Sequence, residues 1–221
     1  MKYKYLLFDL DGTLIDTTEG VYKSAQCALK HFGIEVSFDD LKPIFGPPLK
    51  YSFKNLFSLN DIDASKAVEI YLERYQIHGT NESRVFEEIP KLLIDLKNAG
   101  YTMGVATSKF EGHAIAALQH YNIAQYFDYI TGANLDETIS KKHQVIEESL
   151  RRFGIESCRN SALMIGDMKY DIEGAKIAGI DSFGIYTGTA SPNEHEKAGA
   201  TYIANSFDEL RQKLLVDFYS E

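Results

Sequence analysis

The fold of this chain is inferred first from one segment, Phe8-Asp9-Leu10-Asp11-Gly12-Thr13-Leu14-Ile15. It directly follows an apolar and aromatic run over residues 3–7, which is typical of a buried parallel strand. Asp9 and Asp11 therefore lie at the carboxyl end of a strand, where ligands bind in open α/β sheets. Two carboxylates so close together repel each other, which favours a bound divalent cation.

Two later motifs also follow predicted strands. Thr107 and Ser108 come after the second strand of the α/β pattern, and their O–H and N–H groups can hold a phosphate oxygen, although such a pair also caps helices. Asp167 and Asp171 follow the fourth strand, at the start of a helix. Because the carboxyl ends of parallel strands share one edge of a sheet, we expect these residues to lie close to Asp9.

The pattern of helices and strands divides the chain into two parts. Residues 17–86 have helical periodicity with no strand between them, whereas strands and helices alternate from residue 87 onward. The expected fold class is α/β: a doubly wound parallel sheet formed by residues 1–16 and 87–221, with residues 17–86 inserted as a small α-helical domain.

Length, charge and cysteine content exclude several classes of protein. The chain has 221 residues and a formal net charge of −9, which argues against a nucleic-acid partner. No apolar stretch approaches the ~20 residues of a membrane span. Cys27 and Cys158 fit no metal-binding spacing, so we expect a reduced, soluble cytoplasmic protein. Cys27 lies on the apolar face of the first predicted helix and is expected to pack there.

The order of these motifs resembles that of the haloacid dehalogenase superfamily, in its phosphatase branch with a small helical cap. The segments that carry the resemblance are Asp9-x-Asp11-Gly12-Thr13, Ala106-Thr107-Ser108-Lys109 and Gly166-Asp167-x-x-x-Asp171. The resemblance implies a Rossmann-like core, with Asp9 as the nucleophile and Asp11 as the general acid and base. The second aspartate argues against dehalogenase chemistry, because the dehalogenases of the superfamily lack it.

The resemblance also implies a metal site and a phosphate site. Mg2+ would be held by Asp9, by the backbone carbonyl of Asp11 and by Asp167, with Asp171 behind them. In the family the first hydroxyl residue after the second strand, here Thr107, binds the phosphate together with a lysine before the helix over residues 144–153, and Ser108 is a further candidate from the hydroxyl pair. Spacing favours Lys142 over Lys141 for that lysine, and His143 replaces the proline that often follows it in the family.

The predicted cap contains a segment suited to select the substrate. Gly46 and Lys50 flank a Pro-Pro pair that restricts the backbone, so that Lys50 is presented at a defined place. The expected partner is a small phosphorylated metabolite, first a nucleoside 5′-monophosphate and alternatively phosphoglycolate, and the expected assembly is a monomer or a homodimer.

Other functions stay open at this stage. A phosphomutase would need to shelter the phosphoenzyme from water, and a phosphonate hydrolase would need a Schiff base on a cap lysine such as Lys50. A non-catalytic receiver-type module would need its phosphorylated aspartate at the end of the third strand, whereas Asp128 begins that strand.

Overall fold

A computed structural model describes residues 1–45, 47–79, 81–134, 138–188 and 190–218. The chain divides into two compact units, one made of Met1–Ile15 with Val85–Glu221 and the other of Asp16–Arg84. The assignment of these units as catalytic core and cap stays a prediction.

The larger unit is built on a parallel sheet. The strands in the described residues are β1 (Tyr5–Phe8), β2 (Ile15–Asp16), β3 (Arg84–Val85), β4 (Thr102–Phe110), β5 (Tyr129–Ala133), β6 (Ala162–Gly166), β7 (Asp181–Ile185) and β8 (Tyr202–Ala204). Six of them form one sheet in the order β5-β4-β1-β6-β7-β8, and every neighbouring pair is parallel. β2 and β3 form a separate two-stranded sheet. The predicted doubly wound parallel sheet is confirmed.

Helices cover both faces of this sheet. The α-helices in the described residues are α1 (Thr18–His31), α2 (Phe38–Leu41), α3 (Leu49–Asn55), α4 (Asp61–Arg74), α5 (Ile89–Asn98), α6 (Glu111–His120), α7 (Lys142–Phe153), α8 (Lys169–Ala178), α9 (Glu194–Ala198) and α10 (Phe207–Gln212). Side chains alternate along a strand, so Leu6 and Phe8 pack in one cluster with α5, α6 and α10. Leu7 packs in a second cluster with α7 and α8.

The smaller unit contains α1 to α4 and has a core of its own. Its buried side chains include Tyr22, Leu29, Phe53 and Tyr71. Cys27, on α1, is exposed, so the prediction that it packs is wrong. No helix in the described part of the chain combines the length and the apolar character needed to cross a membrane.

Short polar motifs explain where several helices begin. The Ser37 hydroxyl accepts a hydrogen bond from the Asp40 N–H at 3.3 Å, and the Asp40 carboxylate accepts one from the Ser37 N–H at 2.9 Å. Asn60 caps α4 by accepting from the Asp63 N–H, and Ser206 caps α10. These side chains satisfy backbone donors that the first helical turn leaves unpaired.

Three features differ from the sequence prediction. β3 (Arg84–Val85) lies within residues 17–86, where the helical periodicity predicts no strand, because two residues paired with β2 are too short a segment to give a periodic signal. β4 continues beyond Ala106 to Phe110, with a shift of register, because Phe110 pairs with Ala133 of β5. α7 begins at Lys142, two residues before the helix that the sequence predicts over residues 144–153. Apolar periodicity detects buried strand residues but not polar residues that continue the same backbone pairing.

Candidate active site

The candidate site lies at the carboxyl edge of the sheet, beside β1. β1 pairs with β4 on one side and with β6 on the other, so the order of strands reverses here, and this is the place where ligands bind in open α/β sheets. Asp9 follows β1, and its N–H donates to the Ile165 carbonyl of β6 at 2.9 Å. Asp167 and Asp171 follow β6, and one oxygen of each of the three carboxylates lies within 4.8 Å of the others.

Lys142 links two of these carboxylates. Its Nζ lies 2.8 Å from Asp9 Oδ1 and 2.8 Å from Asp171 Oδ1, and it donates a hydrogen bond to the Ala106 carbonyl at 3.0 Å. Lys142 is buried, whereas Lys141 is exposed. Of the two lysines that the sequence left open, Lys142 is therefore the one that contacts Asp9.

Burial and charge shift the pKa values of this cluster in opposed ways. Burial alone would lower the pKa of Lys142, but the Asp171 and Asp9 carboxylates outweigh burial and raise it above its usual value. Burial, helped by the Asp9 carboxylate, raises the pKa of Asp171 to about 6, although Lys142 opposes that shift. Asp171 is thus a carboxylate whose charge is costly when no further cation is present.

Asp11 has a cationic partner that sequence reasoning missed. Lys109, near the end of β4, donates from Nζ to both carboxylate oxygens of Asp11, at 2.9 and 2.8 Å. The pair is partly buried, and its two residues are 98 positions apart. The Thr-Ser-Lys sequence after the predicted strand contained the residue, but nothing in the pattern indicated its partner.

The two predicted hydroxyl residues differ in their surroundings. Thr107 is buried in the second half of β4, and its Oγ1 accepts a hydrogen bond from the Lys109 N–H at 3.2 Å. Ser108 is exposed. Thr107 and Ser108 are the two residues after Ala106, whose carbonyl accepts from Lys142, so the predicted phosphate residues lie close to Lys142 along the chain of β4.

The donor set fits a hard divalent cation. Asp9, Asp167 and Asp171 carry three carboxylates, against which Lys142 supplies one positive charge. Both Asp171 oxygens already have a partner: Lys142 contacts one, and the Met168 N–H donates to the other at 3.1 Å. Asp171 is therefore suited to hold Lys142 in place and not to contact the metal ion itself. Carboxylate oxygens are the ligands that Mg2+ prefers, and the excess negative charge favours a cation.

The predicted selection segment belongs to the smaller unit. Gly46 lies outside the described residues. Lys50 is at the start of α3, and its Nζ lies 2.9 Å from Asp61 Oδ2, while Lys54 lies 2.8 Å from the other oxygen of the same carboxylate. The role of Gly46 and Lys50 in substrate selection stays a prediction.

The chain belongs to the haloacid dehalogenase-like hydrolase family, whose model matches residues 6–185. A 5′-nucleotidase of Pseudomonas aeruginosa is 36% identical over 215 residues, which cover 97% of this chain and 96% of that protein. The crystal structure of a predicted phosphatase from Clostridium acetobutylicum is 39% identical, has a TM-score of 0.87, and matches over 97% of this chain and 99% of that one.

Another relative is named a kinase and not a phosphatase. The tyrosine-protein kinase PtkA of Mycobacterium tuberculosis is 34% identical over 212 residues, which cover 95% of this chain and 72% of that protein. The predictions of the family and of an enzyme of the phosphatase type are confirmed.

Proposed function

We propose that this protein is a Mg2+-dependent phosphatase that hydrolyses small phosphate monoesters through a phosphorylated Asp9, with a nucleoside 5′-monophosphate as its first substrate class. The proposal is supported chiefly by the contact between Asp9 and the buried Lys142 ammonium group at the carboxyl edge of the sheet. The similarity to a 5′-nucleotidase over nearly the whole of both chains supports the substrate class.

Asp9 and Asp11 would carry the two chemical steps. First, an Asp9 oxygen bonds to phosphorus while the bond between phosphorus and the ester oxygen breaks, and Asp11 gives its proton to that oxygen. Asp11 then takes a proton from water, whose oxygen bonds to phosphorus. The bond between Asp9 and phosphorus breaks, which restores the Asp9 carboxylate and releases inorganic phosphate.

Other side chains would hold the reacting groups. Lys142, Thr107 and Ser108 would contact the non-bridging phosphate oxygens, where negative charge is redistributed during transfer. The Lys109 ammonium group contacts both carboxylate oxygens of Asp11 and would hold that side chain in one orientation. Asp171 would keep Lys142 in place beside Asp9.

Asp9, the Asp11 carbonyl and Asp167 would hold the metal ion. When bound, Mg2+ neutralises charge on the phosphate and on the carboxylates, so that an anionic nucleophile can approach an anionic substrate.

Phosphoglycolate is the second candidate substrate, and one observation favours it. Lys109 lies against both oxygens of Asp11, the residue proposed to serve the leaving oxygen. An ammonium group there could contact a carboxylate one carbon away from that oxygen, which glycolate has and a nucleoside lacks.

A substrate panel tests the proposal. Phosphate release is measured from nucleoside 5′-monophosphates, phosphoglycolate and phosphosugars, with Mg2+ and with EDTA, for the wild type and for Asp9→Asn. We expect release that requires Mg2+ and falls by more than about 10³-fold in the variant. Preference for one substrate class ranks the two candidates, and no release from any substrate by the folded wild type would refute the proposal.

A further inference from the structure

The loop after β1 and the loop after β6 meet at Gly12. This residue has a φ of +86°, and a Cβ built there would lie 2.2 Å from Asp167 Oδ2, so only glycine fits without movement. The next residue, Thr13, donates its hydroxyl hydrogen to Asp167 Oδ1 at 3.0 Å. The loops after β1 and β6 both carry proposed metal ligands. The distance between these two loops therefore depends on where the Gly12 backbone lies.

A distant residue fixes that backbone from the other side. Thr187 donates a hydrogen bond from Oγ1 to the Gly12 carbonyl at 2.7 Å, across 175 positions of sequence. The Gly12 N–H donates to the Ile15 carbonyl at 2.8 Å. Both peptide groups of Gly12 are thus hydrogen-bonded, one within its own loop and one to Thr187.

The same part of the chain also holds the loop after β6. Glu194 accepts a hydrogen bond on Oε1 from the Lys169 N–H at 3.0 Å, and on Oε2 from the Ser191 N–H at 3.3 Å. Lys169 is the first residue of α8 and lies two positions after Asp167. We call residues 186–188 and 190–196 the support segment.

The support segment is itself anchored to β7. The His195 ring is fully buried and lies 4.3 Å, centroid to centroid, from the Tyr186 ring. It packs so closely on β7 that a Cβ at Gly184 would lie 2.5 Å from its Cγ. The Tyr186 hydroxyl donates to Glu196 at 2.6 Å. A packed anchor of this kind lets Thr187 and Glu194 resist displacement of the loops they contact.

We propose that Thr187 and Glu194 are positioning residues that hold the Asp9–Thr13 loop and the Asp167 loop at the spacing Mg2+ requires. The inference rests on the proposed function, because it concerns the metal that function needs. Mg2+ demands nearly ideal octahedral geometry with short bonds to oxygen, so a small shift between two loops that both supply ligands weakens binding. Partners behind metal ligands commonly contribute 10- to 100-fold in affinity.

The test measures Mg2+ binding directly, by isothermal titration calorimetry on the metal-free full chain. Thr187→Val keeps the shape of the side chain but removes the hydroxyl donor, and Thr187→Ser restores it. Thr201→Val is the matched control, because it removes a hydroxyl that donates to Asp181 at 3.2 Å, at the opposite end of β7. Glu194→Ala and Glu194→Gln form a parallel pair, of which the glutamine keeps an acceptor for the Lys169 N–H.

We expect about tenfold weaker Mg2+ binding in T187V and in E194A, and values within about twofold of the wild type in T187S, E194Q and T201V. The Mg2+ concentration for half-maximal phosphate release should rise in parallel, with kcat at saturating Mg2+ nearly retained. Wild-type affinity in T187V, or equal weakening in T201V, overturns this inference alone. A wild-type protein that binds no Mg2+ overturns the proposed function together with it.

Discussion

Replacing Lys142 with Met tests whether one buried ammonium group holds the carboxylates of the site together. The change removes ion contacts of 2.8 Å to Asp9 and to Asp171 and a hydrogen bond of 3.0 Å to the Ala106 carbonyl, while it preserves most of the side-chain volume. Lys141→Met is the matched control, because Lys141 is the adjacent lysine and is exposed.

The expected loss of free energy of unfolding follows from leaving the buried Asp9 and Asp171 carboxylates without the Lys142 ammonium group. Removing one partner of a buried ion pair costs about 3–5 kcal/mol. The variant can limit this loss by protonating a carboxyl group, which costs about 1.4 kcal/mol for each pH unit above the ordinary aspartate pKa of about 3.9. Protonation therefore limits the loss of free energy of unfolding to about 4 kcal/mol at pH 7 and about 1.5 kcal/mol at pH 5. We expect K142M to lose about that much free energy of unfolding at each pH.

Urea unfolding followed by circular dichroism, in EDTA at both pH values, measures this loss. K141M should stay within about 0.5 kcal/mol of the wild type, as surface substitutions usually do. Phosphatase turnover of K142M should fall by about 10² to 10³-fold, because a donor to the phosphate is lost. Lys142 does not hold the carboxylates together if K142M is as stable as the wild type at pH 7, if K142M loses as much free energy of unfolding at pH 5 as at pH 7, or if K141M loses the same amount.

Substitutions at three further positions probe separate parts of the site. Lys109→Met should lower kcat by about tenfold, because Asp11 loses the group that orients it, and Lys109→Arg should recover part of the loss in steady-state assays. Gly12→Ala should lower the free energy of unfolding by about 2 kcal/mol in urea, because the new Cβ at a φ of +86° meets the Asp167 carboxylate. The folded-state pKa of Asp171 is raised to about 6, above its unfolded value of 3.8, so the metal-free folded state binds the extra proton between these values. Stability should therefore fall as pH rises from about 4 to about 6. Asp171→Asn should lack this fall in stability. The test compares the urea unfolding midpoints of wild type and variant over the same pH range.

The sheet and its ligand edge could be predicted because their signals are local. Apolar runs at β1, β4 and β6 indicate buried parallel strands, and each is followed directly by polar residues. Once the strands are parallel, their carboxyl ends must meet at one edge, which brings Asp9 and Asp167 together without knowledge of any contact. Lys142 was favoured only because of family spacing, since a lysine on a polar connection is usually solvated.

The missed features depend on contacts between distant parts of the chain. Lys109 meets Asp11 across 98 positions, and Thr187 meets the Gly12 carbonyl across 175. Neither partner has a local pattern that indicates the other. The exposure of Cys27 was missed for a related reason: helical periodicity gives the apolar stripe of α1, but packing against neighbouring helices decides where the stripe ends.

A phosphoryl group on Asp9 is the covalent intermediate that distinguishes the proposed mechanism from direct attack by water. Wild-type protein is mixed with Mg2+ and the best substrate of the panel, quenched in acid within the first turnovers, and examined by intact-protein and peptide mass spectrometry. We expect one added phosphoryl group, mapped to Asp9, and neither label nor turnover in Asp9→Asn. Rapid turnover of the wild type without a label on Asp9, together with turnover retained in Asp9→Asn, would contradict the proposed mechanism.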